Sequence, residues 1–404
     1  MNRPALLDFD TALSQLLALA EPPVTLETLP TMDALDRVLA LDQVSSLDVP
    51  PMDNAQMDGW ALRIADLAAG VPLPISQRIP AGASPGALAL GTVARIFTGA
   101  PIPPGADAVV MQEQAVQDGD GVRVETVPTP GEWIRRTGED IRRGAVVLAA
   151  GTRLTPQALG LAASVGLAAL PVRPRLRVAC FFTGDELAMP GDPLPPGGIY
   201  NSNRFVLGAL LRRLGCEVRD LGIVPDTLEA TRAALREAAR TADLIVTSGG
   251  MSVGEEDHVR PALQAEGELR TWQVAIKPGK PLAWGRVRRD GGHAHFIGLP
   301  GNPVSSFVTF LLFVRPFLLR LQGAVDTAPR VLPMRADFDW TAPDRRREFL
   351  RARMNDAGGL DLFPNQGSAV MTSTVWADGL IDNPPSQPIR RGDVVRFLPY
   401  GGLM

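Results

Sequence analysis

The sequence predicts a multidomain α/β plus β protein, with a central three-layer α/β domain whose sheet is mostly parallel. Three observations predict this fold class. Helix and strand patterns alternate in the central part, short apolar runs separated by Pro and Gly precede it, and short strand patterns with Gly turns follow it. The expected units are a helical and extended linker domain (1–48 and 142–175), an inserted small β domain (49–141), the α/β domain (176–326) and a small C-terminal β-barrel-like domain (327–404).

The first part of the chain has apolar residues at helical spacing, and this pattern changes at Val49. Apolar residues recur at helical intervals through 7–20, and the segment Thr25–Val44 is also amphipathic, so both predict helices. From Val49 to Ile141, short apolar runs alternate with stretches such as IPAGASPG, which is typical of β structure. A helical pattern returns at 156–170. The β domain is therefore predicted as an insertion between helical pieces.

The α/β domain is predicted from strands and helices that alternate at the spacing of βαβ units. Ser202 or Asn203 is expected to cap one helix and Asp226 the next. Asn302 as N-cap and Pro303 at the first helical position are expected to start a last helix that runs to 321. The expected strands cover 176–182, 217–222, 244–247 and further segments of 269–299, with a hairpin around 289–292.

Composition and charge exclude several classes of protein. The 40 Gly and 37 Pro among 404 residues stay below the share typical of disordered chains, and 45% hydrophobic residues can fill buried cores. A net charge of −4 provides no overall basic field for nucleic acid. The N-terminus lacks a signal pattern, and the apolar run 304–314 is too short to span a bilayer. We therefore expect a soluble cytoplasmic protein without nucleic-acid or membrane partners.

The chain has too few cysteines and histidines to suggest a zinc site or a His-centred active site. Cys180 and Cys216 fall in apolar strand patterns and are expected to be core residues in a reducing compartment. They do not have the spacing of a zinc site. Three histidines leave little material for a His-centred active site.

Three Gly-containing loops follow predicted strands, where doubly wound sheets bind their ligands. They are TGDE at 183–186, SGGMSVG at 248–254 and LPGNP at 299–303. Glycine permits close backbone approach, and helix starts offer unpaired N–H groups, so the loops suit a phosphate-bearing ligand. One such loop is equally consistent with an ordinary turn, but three at equivalent strand ends favour binding. The candidates are Gly249, Gly250, Ser252, Gly301 and Asn302.

Carboxylates beside these loops predict a metal site. Glu186 and Asp257 lie at loop–helix junctions, and Mg²⁺ prefers oxygen ligands of this kind near phosphate. Asp185 and Asp226 lie in the same region. For Asp226, a plain role as a helix cap is equally consistent with the sequence.

The string Lys277-Pro278-Gly279-Lys280-Pro281 predicts an anion site. Two lysines three residues apart are often solvated surface charge. Here the prolines and glycine between them restrict the backbone and therefore the placement of the two cations. Such a pair suits a divalent oxyanion.

Several other segments indicate only turns or exposed strands when they are judged by physical chemistry alone. This applies to the segments that contain Asp58, Thr98 and Asp140, in each of which a small or acidic residue accompanies glycine. The charged run 345–351 fits a solvated strand face, and QGS at 366–368 fits a turn.

The ordered set TGDEL, SGGMSVGEEDH, AIKPGKP and LPGNPVSSF resembles the molybdopterin molybdenumtransferases of molybdenum-cofactor biosynthesis. This is the bacterial MoeA type, which is related to the E domain of gephyrin. MDGWAL, RIFTGAPIPPGADAVVMQE, RRTGEDIRRG, the IYNSN run and the final QGS extend the resemblance over nearly the whole chain. The long TGAPIPPGADAVVMQE string and the order of the motifs make the resemblance specific.

The resemblance implies a fold, an activity and partners. The region 176–326 would have the molybdopterin-binding fold, in an elongated homodimer whose inserted β domain lies over the partner subunit's α/β cleft. The enzyme would insert molybdenum from molybdate into adenylated molybdopterin and release AMP, assisted by Mg²⁺. The resemblance also leaves room for contact with the upstream adenylyltransferase and other proteins of cofactor biosynthesis.

The resemblance also implies roles for residues that match the family's motifs. The active-site group would be Asp58, Thr98, Asp140, Glu186, Asp226 and Asp257, with Glu186 and Asp257 holding the metal. Lys277, Lys280 and Arg351 would neutralise molybdate oxygens, with Ser305 or Ser368 hydrogen-bonding to molybdate. Metal and donors would supply electrostatic stabilisation, so this mechanism needs no protein nucleophile.

The chain departs from the family's usual pattern at four positions. Ala55, Gln56 and Trp60 stand where Ser, Ala and Tyr are usual, and Ala369 follows QGS where His, Gly or Asn is common. None of these changes removes a charged group, so they affect fine positioning only. Two alternatives stay open from the sequence: adenylyltransferase activity on the same fold, and a non-catalytic, gephyrin-like scaffold.

Overall fold

A computed structural model describes residues 6–22, 24–250 and 258–404 of the chain. At its centre is a six-stranded sheet, in which the five strands other than Pro281–Arg289 run in the same direction. The predicted, mostly parallel sheet is therefore confirmed. The order of its strands is Glu217–Val224, Arg177–Thr183, Leu244–Ser248, Gly292–Leu299, Pro281–Arg289 and Gly267–Gln273.

Helices cover both faces of this sheet and make three layers. Alternate residues of Arg177–Thr183 supply two separate cores: Cys180 and Phe182 belong to one, and Ala179 and Phe181 to the other. One face carries helices Ser202–Arg213 and Pro303–Leu321, and the other carries Leu228–Ala239 and Val259–Glu266.

Both cysteines are buried and free, as expected for core residues. Burial raises the pKa of Cys180 and of Cys216 to about 12, so neither thiol is ionised near neutral pH.

The apolar helix Pro303–Leu321 is a core element of the α/β domain. It is long and apolar enough to cross a membrane by composition, but 94% of it is buried inside the protein. Asn302 and Pro303 start it as predicted, and a π-helical turn, Phe310–Val314, separates the helical segments Pro303–Thr309 and Arg315–Leu321.

The N-terminal helix Phe9–Leu17 does not pack in the domain to which the sequence assigned it. Its Ala12 and Leu16 are fully buried in the same core as the helix Pro303–Leu321, and Phe9 contacts the Phe313 ring edge-on at 5.2 Å. By packing, this helix belongs with the α/β domain, whereas the sequence assigned residues 1–48 to the linker domain.

The linker domain is mainly extended, so the helix predicted over Thr25–Val44 is wrong. Its only α-helix among the described residues is Pro156–Ser164, whose Ala158 and Ala162 pack against Leu39 and Leu170. The tertiary pairing of Glu27–Pro30 with Ala169–Val172 overrides the amphipathic pattern of the first segment. The remaining elements are the 3₁₀ turn Thr31–Asp33 and the antiparallel pair Gln43–Val44 with Val146–Leu148.

The inserted domain is a six-stranded β unit, as predicted. Its strand Gly59–Leu62 contains the last four residues of the MDGWAL motif and is buried between two antiparallel neighbours. In order across the sheet, the strands are Ala108–Met111, Gly59–Leu62, Val93–Ile96, Leu73–Ile79, Gly121–Val124 and Ala115–Asp118. A short antiparallel pair, Asn54–Ala55 with Ile134–Arg135, also belongs to this domain, and 3₁₀ turns cover Ile64–Asp66 and Gln112–Gln114.

The C-terminal unit is a small closed β-barrel. Arg347–Met354 pairs with both Gly359–Leu362 and Gly379–Asn383, which closes the ring. The strand Ile276–Lys277 of the α/β domain adds to Arg347–Met354 in parallel, so the two units are joined by a strand pair. The other barrel strands are Leu332–Ala336 and Val394–Pro399, with the short helix Thr372–Trp376 and the 3₁₀ turn Tyr400–Gly402.

Candidate active site

A cavity of about 740 Å³ lies where the C-terminal ends of the central strands meet the barrel. Ten of the residues predicted from the sequence line it, eight of them from the three loops, the KPGKP segment and the QGS turn. They are Glu186, Asp226, Gly249, Gly250, Lys277, Lys280, Gly301, Asn302, Ser305 and Ser368. The structure thus brings together residues that are up to 182 positions apart in the sequence.

The glycines of the second loop are required by its shape. Gly249 has φ +102°, and a Cβ atom there would lie 2.6 Å from the Thr183 carbonyl oxygen. Gly250 has φ +61°, and its Cβ would lie 2.6 Å from a methyl carbon of Val259. Any larger residue would force the loop out of the cavity wall.

Side chains that sequence reasoning missed hold the second and third loops together. The Asn203 amide donates to Ser248 Oγ at 2.8 Å and to the Gly301 carbonyl at 2.7 Å. Ser248 Oγ donates in turn to the Pro300 carbonyl at 2.8 Å. The sequence indicated Asn203 only as a helix cap, but Asn201 caps that helix, and this leaves the Asn203 side chain for the loops.

One end of the cavity is acidic. Glu186 and Asp226 line it, and the backbone N–H of Asp226 donates to Asp185 Oδ1 at 3.3 Å. The structure decides the alternative left open for Asp226, because Thr227 caps the helix Leu228–Ala239 through its side chain. Asp226 is therefore not the N-cap of that helix.

The basic residues of the cavity come from the other edge of the central sheet. Asp226 and Glu186 follow the first and second strands in the sheet order, whereas Lys280 precedes the fifth strand and Lys277 follows the sixth. Lys280 is exposed there and has no ion pair among the described residues, whereas Lys277 Nζ lies 3.2 Å from Glu348 Oε1 and 3.6 Å from Asp344 Oδ2. Gly279 separates the two lysines with φ +108°, and a Cβ there would meet Thr309 Oγ1 at 2.3 Å. The backbone between the lysines is thus fixed by packing, as the sequence predicted.

Buried polar contacts fix Lys277 from the barrel side. Glu348 is fully buried, and its Oε2 accepts hydrogen bonds from Trp340 Nε1 at 2.8 Å and from Asn383 Nδ2 at 3.4 Å. The side-chain hydrogen bonds of Arg346 hold the pKa of Asp344 far below its usual range, so Asp344 stays ionised near neutral pH. The ammonium of Lys277 therefore faces two carboxylates contributed by the barrel.

Arg346 is a cavity residue that the sequence did not single out. It forms two hydrogen bonds with Asp344, at 2.9 Å each, and its side chain lines the cavity. The available signal is that Arg346, directly before the strand Arg347–Met354, is two residues from Glu348 within it. This signal could not identify Arg346 from the sequence alone, because the sequence does not show which face of the strand meets Lys277.

Arg351 differs from its predicted placement. It is fully buried and does not line the cavity; its guanidinium donates to Ser373 Oγ, the Phe349 carbonyl and the Gly367 carbonyl at 3.1–3.2 Å. Burial lowers the pKa of Arg351 to about 10, so it remains cationic near neutral pH. The Gln366 side chain exchanges two hydrogen bonds with the Arg351 backbone, so this residue supports the QGS turn from behind.

The predicted residues of the inserted domain do not line the cavity of their own chain. Asp58 Oδ1 accepts hydrogen bonds from the Thr98 backbone N–H and hydroxyl, both at 2.8 Å, and these bonds lower the pKa of Asp58. Asp58, Thr98 and Asp140 are all exposed. None of the three lines the cavity of its own chain. Ser252 and the predicted metal ligand Asp257 lie outside the described residues.

Comparisons with known proteins agree with this fold and this cavity. Three family models match the chain: "MoeA N-terminal region (domain I and II)" over 7–166, "Probable molybdopterin binding domain" over 179–320, and "MoeA C-terminal region (domain IV)" over 333–400. The molybdopterin biosynthesis moeA protein of Pyrococcus horikoshii is similar in structure, with a TM-score of 0.84 and 29% identity over 98% of this chain and 100% of that chain. The class is therefore a multidomain protein built around a molybdopterin-binding α/β domain.

Curated relatives narrow this class. A molybdopterin molybdenumtransferase of Haemophilus influenzae is 43% identical over 324 residues, which is 79% of this chain and 78% of the relative. One of Synechococcus elongatus is 39% identical over 92% of this chain and 95% of the relative. The chain belongs to the molybdopterin molybdenumtransferase family.

Proposed function

We propose that this cavity binds adenylated molybdopterin together with molybdate, inserts molybdenum into the pterin dithiolene and releases AMP. The observation that carries the proposal is the division of one cavity into an acidic end, with Glu186 and Asp226, and a basic end, with Lys277, Lys280 and Arg346. A phosphoanhydride that needs a cation and an oxyanion that needs positive charge can occupy such a cavity side by side. The named relatives favour this transferase over the adenylyltransferase and scaffold alternatives.

The basic end would bind molybdate, the substrate oxyanion. The ammonium groups of Lys277 and Lys280 and the guanidinium of Arg346 would neutralise its charge, with the Ser305 or Ser368 hydroxyl donating a hydrogen bond. We assign Arg351 a positioning role, because it holds the carbonyl of Gly367 in the turn that carries Ser368.

The phosphate groups would lie along the glycine loops between the two ends. Gly249, Gly250 and Gly301 line the cavity without side chains, and a Cβ atom on Gly301 would lie 3.8 Å from the Cα of Gly249. The two loops therefore run close together. The Gly249 N–H donates to the Leu299 carbonyl at 3.4 Å, so the N–H groups of Gly250 and Gly301 would be the donors to one anion.

The acidic end suits Mg²⁺. Proteins commonly bind Mg²⁺ through one or two carboxylates plus substrate phosphates, and Glu186 and Asp226 are such a pair. No group of three or more potential ligands occurs in the part of the chain that the structure describes, which fits a metal held jointly with substrate. When bound, Mg²⁺ would offset the negative charge that develops as the phosphoanhydride breaks. Asp257 remains a proposed third carboxylate.

A homodimer is the second part of this proposal. Asp58, Thr98 and Asp140 are exposed on the β domain and lie outside the cavity of their own chain, so they would act on the cavity of the partner subunit. We also propose a cytoplasmic location, which the two buried free cysteines support.

A single assay tests the proposed reaction. Purified protein with adenylated molybdopterin should release AMP only when both molybdate and Mg²⁺ are present. Glu186→Ala should keep the thermal midpoint and bind AMP but lose turnover, since its carboxylate is exposed and serves the metal. Unchanged AMP release by this variant would contradict the role of Glu186. AMP release without molybdate would contradict the proposed reaction.

A further inference from the structure

The half-buried Arg95 of the inserted β domain is held by four contacts, none of them an ion pair among the described residues. Its guanidinium donates to the Gly59 carbonyl at 3.2 Å through Nη1 and to Gln112 Oε1 at 2.8 Å through Nη2. It also lies over the rings of Trp60 and Phe97, with Cζ 5.1 Å and 4.9 Å from their centroids. The position of this guanidinium is therefore closely defined.

Two of these contacts are made to the segments that hold the backbone of Asp58. Gly59 directly follows Asp58, and the backbone N–H of Gln112 donates to the Asp58 carbonyl at 3.1 Å. Arg95 therefore joins the two segments on either side of this backbone. The packing here is close, since a Cβ atom on Gly59 would lie 1.9 Å from the Val110 carbonyl oxygen.

The carboxylate of Asp58 depends on the same group of residues. Thr98 donates to Asp58 Oδ1 through its backbone N–H and its hydroxyl, and Thr98 directly follows Phe97, one of the two rings beneath Arg95. The hydrogen bonds from Thr98 lower the pKa of Asp58, and the positive charge of Arg95 lowers it further. Both the backbone and the carboxylate of Asp58 are thus held by residues that adjoin Arg95.

The chemistry of a guanidinium suits this arrangement. Its planar fork donates to two acceptors in fixed directions while its face stacks on aromatic rings. Trp60, the cross-strand partner of Arg95, stands where Tyr is usual in the family. Because tryptophan makes the strongest cation–π contact of the aromatic residues, it holds Arg95 more firmly than a tyrosine would.

We propose that Arg95 is a positioning residue for Asp58, and that it holds the start of the strand Gly59–Leu62 so that the Asp58 carboxylate meets the partner subunit's cavity in one orientation. This inference rests on the homodimer in the proposed function. Nη1 and Nη2 of Arg95 each donate to an acceptor of its own chain, so Arg95 would act through Asp58 and not by contact with the substrate.

The first test measures AMP release by Arg95→Met and Arg95→Lys. Methionine removes the fork, so we expect kcat to fall about tenfold or more while the KM for molybdate changes less than about threefold, because a misplaced carboxylate impairs the reaction more than binding. Lysine keeps the charge but cannot make the two directed bonds, so its kcat should fall by a similar factor. Wild-type kcat in Arg95→Lys would show that charge alone matters and would contradict a positioning role.

Arg63→Met is the matched control. Arg63 is a half-buried arginine directly after the other end of the strand Gly59–Leu62, and its Nε donates to the Gly105 carbonyl at 3.2 Å. Its loss should lower the thermal midpoint about as much as the loss of Arg95, but kcat should stay within about twofold of wild type. Equal losses of kcat in Arg63→Met and Arg95→Met would reduce Arg95 to a structural residue.

Heterodimers show through which subunit Arg95 acts. One Arg95→Met chain with one Glu186→Ala chain contains one intact shared site and should give about half of the wild-type AMP release. One Arg95→Met chain with one Asp58→Asn chain has two defective β domains and should stay at the level of Arg95→Met alone. Recovery in the second heterodimer would overturn the assignment of Arg95.

An Asp58→Asn chain paired with a Glu186→Ala chain separates failure of this inference from failure of the proposed function. If that pair recovers but the pair of Arg95→Met and Glu186→Ala does not, Arg95 does not act through Asp58. If neither pair recovers, the shared site has failed and the role of Arg95 fails with it. If the wild-type protein releases no AMP, the proposed reaction itself is wrong.

Discussion

At the scale of the residue, the two lysines of the KPGKP segment differ more than their spacing suggests. Lys277 is held between Glu348 and Asp344, and Glu348 is itself fully buried and held by Trp340. Lys280 is exposed and unpaired among the described residues. On the proposed assignment, Lys277 would therefore stabilise the fold as well as bind the substrate, whereas Lys280 would bind the substrate alone.

This difference predicts distinct effects of the same substitution. Lys277→Met and Lys280→Met should both raise the KM for molybdate at least several-fold, since each removes a cation from the basic end. Lys277→Met should also lower the free energy of unfolding by about 1–3 kcal/mol, because it leaves the Glu348 carboxylate buried without its ion partner. Lys280→Met should change that free energy by less than about 0.5 kcal/mol.

A double substitution provides the control for Lys277. Lys277→Met with Glu348→Gln removes the unpaired charge while an amide still occupies the carboxylate's position, so urea unfolding should show that most of the lost stability returns. The KM for molybdate should stay high. Equal stability losses for Lys277→Met and Lys280→Met would contradict the proposed division between them.

At the scale of the element, the KPGKP segment is shaped by the helix beneath it. Gly279 lies against Thr309, the last residue before the π-helical turn Phe310–Val314, and its φ of +108° is one that other residues rarely adopt. The same helix carries Ser305 in its first turns. The spacing of the two lysines is thus set by contact with a core helix.

Gly279→Ala tests this dependence. Both the positive φ and the 2.3 Å approach to Thr309 Oγ1 oppose a methyl group, so we expect the free energy of unfolding to fall by about 2–4 kcal/mol and the KM for molybdate to rise. Gly291→Ala is the control, since it has φ +75° in an exposed hairpin with nothing within 4 Å. It should cost about 1 kcal/mol and leave KM unchanged. Equal effects of the two substitutions would show that contact with the helix is unimportant.

The sequence predicts an element well when neighbouring residues determine it, and poorly when a distant segment of the chain determines it. Asn302 and Pro303 are neighbours that start a helix by themselves, and that helix was predicted with its correct end. Thr25–Val44 has an amphipathic pattern, but it pairs with a strand about 140 residues away, which no local signal reports. Arg351 shows the same limit in the site, because only the folded barrel reveals that its side chain points inward.

At the scale of the whole molecule, one chain divides its predicted acidic groups between two surfaces. Glu186 and Asp226 line the cavity, whereas Asp58 and Asp140 are exposed on the inserted β domain. The resemblance to the family predicts that all four belong to one site. A symmetric dimer would satisfy both observations if each β domain completed the partner's cavity.

Subunit complementation tests this arrangement. A purified heterodimer of one Asp58→Asn chain and one Glu186→Ala chain, isolated through two different tags, contains one intact composite site. It should show about half of the wild-type AMP release, although each variant alone is inactive. A heterodimer of Asp58→Asn and Asp140→Asn chains is the control and should stay inactive. No recovery in the first heterodimer would contradict a site shared between subunits.

The strand pair between Ile276–Lys277 and the barrel determines when the cavity can form during synthesis. Lys277 and Glu348 are 71 residues apart, and Arg346 and Ser368 also belong to the last quarter of the chain. A ribosome delivers the glycine loops and the acidic end first, and the barrel follows only after the helix Pro303–Leu321 has been made. On the proposed assignment, an unfinished chain would carry the glycine loops for the phosphate before it carries Arg346 and Ser368 for the oxyanion, so molybdate binding would be gained only once the barrel segment is made.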